Sequence, residues 1–247
     1  MKINFIKMQA CGNDFLIIDT RNQILQLSQS QIIQLADYKK SIGFDQLMLI
    51  ENSSKADVAV KIFNRDGSEA SACGNGSRCV ARLILEETKK DLITISTANR
   101  ILSAKWQGDL VAINMGEAKI LQENIQFQNF SGNLVDIGNL HIIILEDVDI
   151  LQYGPLIEQA YKANVNFVQI INKDSVNLKT WEIGAGATLS CGTGACASFY
   201  LLYKKNLVNK MTKIRQPGGE VYVSMDEQDI LLAGEAEISY RGTFEQR

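Results

Sequence analysis

Ala72-Cys73-Gly74-Asn75-Gly76-Ser77-Arg78-Cys79 and Ser190-Cys191-Gly192-Thr193-Gly194-Ala195-Cys196-Ala197 are two copies of one device, one in each half of the chain. In each, a cysteine is followed by glycine, a small polar side chain and a second glycine, and then by a run that is apolar almost all round, Cys79 to Leu85 and Ala195 to Leu202. The pattern predicts a thiol at the start of a helix. The first backbone N–H groups of a helix are unpaired and carry the positive end of its dipole, so they bind anions and lower the pKa of a nearby thiol. The glycines let a ligand approach the backbone closely. Two such stretches predict a pair of thiols facing one ligand from opposite sides.

Working outward, each stretch is fed by strands. Lys2 to Met8 and Phe15 to Asp19 flank a turn. Ser28 is placed to cap a short helix with Ile32, Ile33 and Ala36 on one face, and Gln46 to Glu51 and the alternating Val58, Val60 and Ile62 read as strands. A polar turn, Asn64 to Glu69, then leads to Cys73. Strand-like pieces follow at Leu92 to Thr97, Ile101 to Trp106 and Leu110 to Met115, and the polar stretch from Gly116 to Gly132 contains no strong helix and is expected to include the passage between halves. The second half repeats the grammar: strands at Leu134 to Ile137, His141 to Leu145, Asn166 to Ile171 and Ser175 to Glu182, a helical piece after Pro155, and a glycine turn, Gly184-Ala185-Gly186, before Cys191. The tail, Glu220 to Tyr240, is β-like. Strands outnumber helices, so the expected fold class is α+β: two domains of similar plan, each a curved, largely antiparallel sheet around a central helix, with the active site in the cleft between them.

Composition narrows the function. The chain has 247 residues, enough for two halves with adequate cores, and its 25 basic and 28 acidic residues are interspersed, giving a net charge of −3. Nothing marks a nucleic-acid or acidic-membrane surface, and no apolar run approaches the roughly 20 residues that span a bilayer. Met1-Lys2-Ile3-Asn4 enters a strand without a signal-peptide core, so a cytoplasmic enzyme is the expectation. Five cysteines, an odd number, argue against a disulfide framework. Their spacings, with five residues between Cys73 and Cys79 and four between Cys191 and Cys196, and the single histidine, His141, make zinc a poor reading. Neither a metal nor any other cofactor is expected. Cys11, Cys79 and Cys196 read as small core residues.

Gly12-Asn13-Asp14-Phe15, Gly43-Phe44-Asp45-Gln46, Asp66-Gly67-Ser68-Glu69 with Cys73-Gly74-Asn75-Gly76, Gly138-Asn139 with His141, Asn164-Val165-Asn166-Phe167, Trp181-Glu182 and Cys191-Gly192-Thr193-Gly194 occur in this order. In order and spacing, and over nearly the whole chain, they resemble the diaminopimelate epimerases. The resemblance implies inversion of an amino-acid α-carbon without pyridoxal phosphate, one cysteine removing the α-proton as thiolate while the other delivers a proton as thiol. Inversion needs two proton-transfer groups on opposite faces, which one general base does not supply. Cys73 and Cys191 match the catalytic pair, their roles swapping with direction. Backbone N–H groups of Gly74, Asn75, Gly192 and Thr193 are placed to receive the α-carboxylate as charge develops. His141 matches the family's histidine beside the pair and is implied to assist proton handling, and Glu182 is implied to lie near the substrate amino group. Asn13, Gln46, Asn64, Asn139 and Asn164 would ordinarily be turn residues; by resemblance they line the substrate pocket, where neutral amides bind carboxylates and ammonium groups. The implied partner is a small-molecule amino-acid substrate, with no nucleic acid and no membrane; the oligomeric state stays open, a homodimer being one assembly the reading allows. The last strand is implied to return to the first domain, giving domains of residues 1–115 plus 236–247 and 116–235.

Three departures stand out. Gln9-Ala10-Cys11 precedes Gly12 where the family has His-Gly-x, and Leu140 replaces a proline. Ile183 follows Glu182 where the epimerases have an arginine that grips the substrate's distal carboxylate. Three readings follow: a diaminopimelate epimerase in which another cation, with Arg65 as the candidate, takes over that carboxylate; a racemase of a different amino acid such as histidine; and a non-catalytic protein that holds phosphate in the glycine cups. The chain lacks Gly-Lys-Ser/Thr after the glycines, against a P-loop, and it retains both cysteines, against a dead enzyme.

Overall fold

The computed structural model describes residues 2–23, 25–70, 73–127 and 129–245. Ala72, which opens the first cysteine stretch, and the chain ends at Met1, Gln246 and Arg247 lie outside the described residues. The chain divides into two compact units, Met1–Ile113 with Gly234–Arg247 and Asn114–Ala233.

In the first unit, β1 (Lys2–Ala10) turns through Cys11 and Gly12, both at positive φ, into antiparallel β2 (Asn13–Asp19). Helix α1 (Gln29–Ala36) is the crossover from β2 to its parallel neighbour β3 (Gln46–Glu51). Its start is a full capping box: Ser28 accepts from the Gln31 N–H while the Gln31 side chain accepts from the Ser28 N–H. Strand β3 pairs antiparallel with β4 (Val58–Asn64), and β4 with the short β5 (Glu69–Ala70). Helix α2 (Gly74–Thr88) then crosses over to β6 (Leu92–Ser96), which lies parallel to β4, and β7 (Ile101–Gln107) and β8 (Leu110–Gly116) continue as an antiparallel meander. A parallel pair cannot be closed by a tight turn, so each parallel step in the sheet requires a helix-sized crossover. That is why helices α1 and α2 sit where they do. Helix α2 is the central one, with Cys79, Val80, Ala81, Ile84 and Leu85 buried.

The second unit repeats this sequence of pairings. Strands β9 (Lys119–Phe127), β10 (Phe130–Asp136) and β11 (Leu140–Ile144) are antiparallel neighbours. Helix α3 (Ile150–Tyr161) crosses over to β12 (Asn164–Asn172), parallel to β11. Strand β12 pairs antiparallel with β13 (Ser175–Glu182), and β13 with the short β14 (Gly186–Thr188). Helix α4 (Gly192–Lys204) crosses over to β15 (Met211–Gln216), parallel to β13, and β16 (Gly219–Asp226) and β17 (Asp229–Gly234) follow. Both cysteine helices therefore fill one topological slot: a short hairpin strand delivers the chain to the cysteine, and the helix carries it to the next parallel strand. The closing strand β18 (Glu237–Glu245) pairs antiparallel with β1. The fold is α+β.

Two local expectations need correction. The polar stretch from Gly116 to Gly132 is no plain passage; most of it is the β9–β10 hairpin. Nearly every β9 side chain except Ile125 is exposed or half-buried, so the strand is held by its backbone ladder and shows no apolar alternation to read. The helix expected after Pro155 begins at Ile150, because Asp149 caps it by accepting from the Leu151 N–H at 2.8 Å.

Candidate active site

Both Cys73 and Cys191 are helix N-caps. Cys73 has extended dihedrals (φ −153°, ψ 109°), and its Sγ accepts from the Gly76 N–H at 3.3 Å; Cys191 has φ −133° and ψ 108°, and its Sγ accepts from the Gly194 N–H at 3.4 Å. Sulfur thus occupies the place usually taken by a serine or aspartate oxygen, and it meets one of the orphan donors of the first turn. Neither cysteine is in a disulfide.

In the first unit, a Cβ on Gly76 would sit 2.5 Å from Met48 Cε, so glycine is what lets the turn lie against β3. Asn75 bridges inward and outward. Its Nδ2 donates to Asn13 Oδ1 at 2.8 Å, and its Oδ1 accepts from Arg78 Nη2 at 2.8 Å. Arg78 is fully buried, and its Nη2 also lies 3.5 Å from Cys11 Sγ. Burial raises the Cys11 thiol pKa while the Arg78 guanidinium opposes the rise. Gln46 and Asn64 are cross-strand partners, the Gln46 Nε2 donating to Asn64 Oδ1 at 3.0 Å. The structure thus gathers Cys73, Gly74, Asn75 and Asn13 at one turn, and Gln46 and Asn64 as a second amide pair on β3 and β4. Arg65, next to Asn64, is exposed and lies over the Tyr38 ring at 5.2 Å.

In the second unit, Cys191 is 4% exposed and surrounded by polar groups. Its Sγ donates to Glu182 Oε2 at 3.2 Å and lies 3.5 Å from Thr193 Oγ1, while its backbone N–H donates to Gln216 Oε1 at 2.7 Å. Glu182 in turn accepts from Thr188 Oγ1 at 2.5 Å. Burial first, and the facing Glu182 carboxylate second, push the Cys191 thiol well above its usual range. The expectation that the helix start would leave this thiol acidic is therefore not met: the helix-end donors act in the lowering direction, but desolvation outweighs them.

His141 is fully buried on β11. Its Nδ1 is 2.9 Å from Asn166 Nδ2 and its Nε2 is 3.0 Å from Thr193 Oγ1 and 3.3 Å from Asn139 Oδ1. Burial drives its pKa down to about 3, so it is neutral at ordinary pH. Asn164 is brought near the same turn, but its amide serves the backbone: Nδ2 donates to Leu140 O at 3.3 Å and Oδ1 accepts from Ile183 N–H at 3.0 Å. The Ile183 side chain is 51% exposed. Asn166, Thr180, Thr188 and Gln216 join the site without having been singled out from the sequence. The available signal was Asn166 itself, a polar residue at an alternate position inside the apolar run Val165, Phe167, Val168. Among the described residues, no cluster of three His, Cys, Asp or Glu side chains is arranged to hold a metal, and no helix is long and apolar enough to cross a membrane.

Gly194 is the tightest point. A Cβ there would lie 2.3 Å from Asn166 Oδ1, 3.2 Å from Thr180 Oγ1 and 3.3 Å from Cys191 Cβ. Asn166 is buried and held by its hydrogen bonds, so it has nowhere to retreat. Gly194→Ala is expected to destabilise the protein by about 2–3 kcal/mol, the upper range for overpacking, read as a lower midpoint in urea unfolding with an unchanged slope.

The fold is shared with solved structures: the Bacillus anthracis phenazine biosynthesis protein of the PhzF family superposes with a TM-score of 0.73 over all of both chains, at 16% sequence identity. With the paired cysteine caps and the sequence matches that follow, the class is an isomerase, an amino-acid epimerase or racemase built as two α+β units. The family model described as diaminopimelate epimerase matches residues 5–121 and 135–239. The diaminopimelate epimerase of Pelagibacter ubique (strain HTCC1062) is 37% identical over 257 aligned residues, covering 93% of each chain. That of Zymomonas mobilis subsp. mobilis is 34% identical, covering 98% of this chain and 97% of the relative. The chain belongs to the diaminopimelate epimerase family.

Proposed function

We propose that this chain interconverts LL- and meso-diaminopimelate without a cofactor, Cys73 and Cys191 acting on opposite faces of one α-carbon. The observation that carries the reading is the repeated device: two cysteines, each an N-cap at the same topological slot, each followed by a glycine-flanked turn of backbone donors. A thiol is suited to the task because it exchanges its proton near neutrality and is a good nucleophile and base as thiolate.

The surroundings support one choice of resting forms. Cys191, buried against Glu182, is the protonated partner, and half-buried Cys73 is the base in that half of the cycle. When Cys191 gives its proton to carbon, the charge that appears on sulfur meets donors already in place, the Gly194 N–H that it accepts from at rest and the Thr193 hydroxyl. Helix-end N–H groups of Gly74–Asn75 and Gly192–Thr193 receive the α-carboxylate as it takes on enolate character. His141, neutral and held at both nitrogens, acts by holding Thr193 rather than by shuttling protons itself. Asn13, Gln46, Asn64, Asn139 and Asn164 are proposed to bound the substrate pocket, Asn164 through the backbone at Leu140 and Ile183 that it fixes.

The test is α-proton exchange in D₂O across a panel of amino acids with no added cofactor. Exchange and stereoinversion are expected with diaminopimelate. Exchange confined to an amino acid lacking a distal carboxylate, such as histidine, would move the assignment to the racemase reading, and phosphate binding without any exchange would end both. Arg65, exposed beside Asn64, is proposed to supply the cation that Ile183 does not. Arg65→Ala is expected to raise the KM for diaminopimelate by roughly ten- to a hundredfold, the worth of a charge-assisted contact; an unchanged KM removes Arg65 from the site.

A further inference from the structure

A chain of side-chain hydrogen bonds runs from Thr180 to Cys191, and one direction through it satisfies every link. Thr180 Oγ1 donates to Asn166 Oδ1 at 3.0 Å. Asn166 Nδ2 faces two acceptors, the Ile142 carbonyl at 3.5 Å and His141 Nδ1 at 2.9 Å, which fixes the amide with its nitrogen toward the imidazole. A bare Nδ1 leaves the histidine proton on Nε2, where it is donated to Thr193 Oγ1 and Asn139 Oδ1. Thr193 Oγ1 also receives Asn139 Nδ2 at 3.4 Å, so two donors occupy its lone pairs. The Thr193 hydroxyl hydrogen is left to point at the remaining neighbour, Cys191 Sγ, at 3.5 Å.

We propose that Asn166 is a positioning residue: by fixing the tautomer of His141 it commits the Thr193 hydroxyl to donate to the Cys191 thiolate. The assignment rests on the reading of Cys191 as a proton-transfer group, and it deepens that reading. Without Asn166 Nδ2 the imidazole is free to carry its proton on Nδ1. Nε2 then accepts, the Thr193 hydroxyl turns toward it, and the sulfur loses one of its donors. Asn166 and Thr180 are 0% and 2% exposed, and such buried polar groups are retained only with their partners in place. Gly194 belongs to the same device, since only the missing Cβ admits Asn166 Oδ1 at this distance.

His141 is the single histidine of the chain, so ¹⁵N-histidine labelling reports on it without assignment. In the unmodified protein, NMR is expected to show a neutral ring with a protonated Nε2 and a bare Nδ1, unchanged between about pH 8 and about pH 5. A proton on Nδ1, or an imidazolium within that range, would overturn the proposal with no variant and no substrate needed. In Asn166→Leu, close to asparagine in shape, the Nε2–H form is expected to give way to a mixture or to the Nδ1–H form. With the amino acid that exchanges in D₂O, kcat is expected to fall roughly tenfold with KM nearly unchanged, the loss of one donor to a charged group, and the pH midpoint of kcat to move upward. Thr193→Val is expected to lower kcat likewise while leaving the His141 tautomer as it was. An Asn166→Leu protein that folds with the original tautomer, or with the original kcat and pH midpoint, would overturn the assignment. Failure of every amino acid to exchange would leave the tautomer result standing and strike only the functional reading.

Discussion

Cys73→Ala and Cys191→Ala are each expected to lower turnover by at least about a thousandfold, the mid-range worth of a positioned proton-transfer group. Under the proposed mechanism the two thiols act as a unit, because removal of a proton from one face is useless for inversion unless another is delivered to the opposite face. Cys73→Ala/Cys191→Ala is therefore expected to be no worse than either single variant, a non-additivity that two independent contributors would not show. Stereoinversion followed by polarimetry or chiral separation reads this directly. The remaining cysteines supply the contrast. Cys79 is fully buried, and desolvation pushes its thiol up to about 12, so it is a core residue at working pH; Cys196 is likewise fully buried on α4. Cys79→Ala and Cys196→Ala are expected to cost stability through the small cavity they leave, with turnover per folded molecule changed less than a few fold. Equal loss in the Cys73 and Cys79 variants would break the link between cap position and chemistry.

The legible part of the site is its local part. A cysteine, two glycines and an apolar run determine an N-cap and a helix from neighbours within a few residues, so the caps at Cys73 and Cys191 are legible in the sequence. The central helices were legible for a similar reason, since strand, polar turn and helix alternate along the chain; the parallel pairs those helices close were not, because the choice of neighbouring strand is made across the sheet. Thiol acidity was not legible. The helix end that would lower it is encoded beside Cys191, whereas the burial that raises it comes from the packed unit, with Glu182 brought to 3.2 Å by the β13–β14 hairpin. Asn166 is a related case. Its position in an apolar strand marks it as unusual, but its value depends on β11 laying His141 beside it, with Ile143 of β11 its partner in the parallel register and His141 two residues earlier on the same face. Arg78 is buried by the same logic, on a helix wrapped by sheet, where nothing local forbids a long charged side chain. Helix α3 starts earlier than its proline suggests, because Pro155 marks only its own position, whereas Asp149, six residues earlier, opens the helix.

Acid is expected to unfold this protein through His141. The ring is neutral in the folded state, with a pKa held down to about 3 by burial, against about 6.5 for an exposed imidazole. Below the unfolded value the unfolded chain binds a proton that the folded chain refuses, so stability rises with pH across this window and is lost on acidification. The contribution is whole above about pH 6.5 and declines toward pH 3, by on the order of 5 kcal/mol for one group. That is a large share of the 5–15 kcal/mol that holds a typical domain. Carboxylates with lowered pKa, such as Asp19 beside Arg21 and Asp57 beside Lys90, also lose their contribution in acid, but starting only from the carboxylate range, in the lower part of the histidine window. Urea unfolding measured from about pH 7 to about pH 4.5 therefore isolates the imidazole. In that range the wild-type free energy is expected to fall steadily, and His141→Gln, which has no proton to gain, to be nearly flat even if less stable at neutral pH. The same burial that creates this liability keeps the ring from becoming an imidazolium. A charged ring would have to donate from Nδ1 as well as Nε2, straight into the Asn166 amide that now donates to it. Acid lability and the orientation of the Thr193 hydroxyl toward Cys191 are thus two consequences of one sealed imidazole, and a variant that relieves the first by opening the site to water is expected to loosen the second.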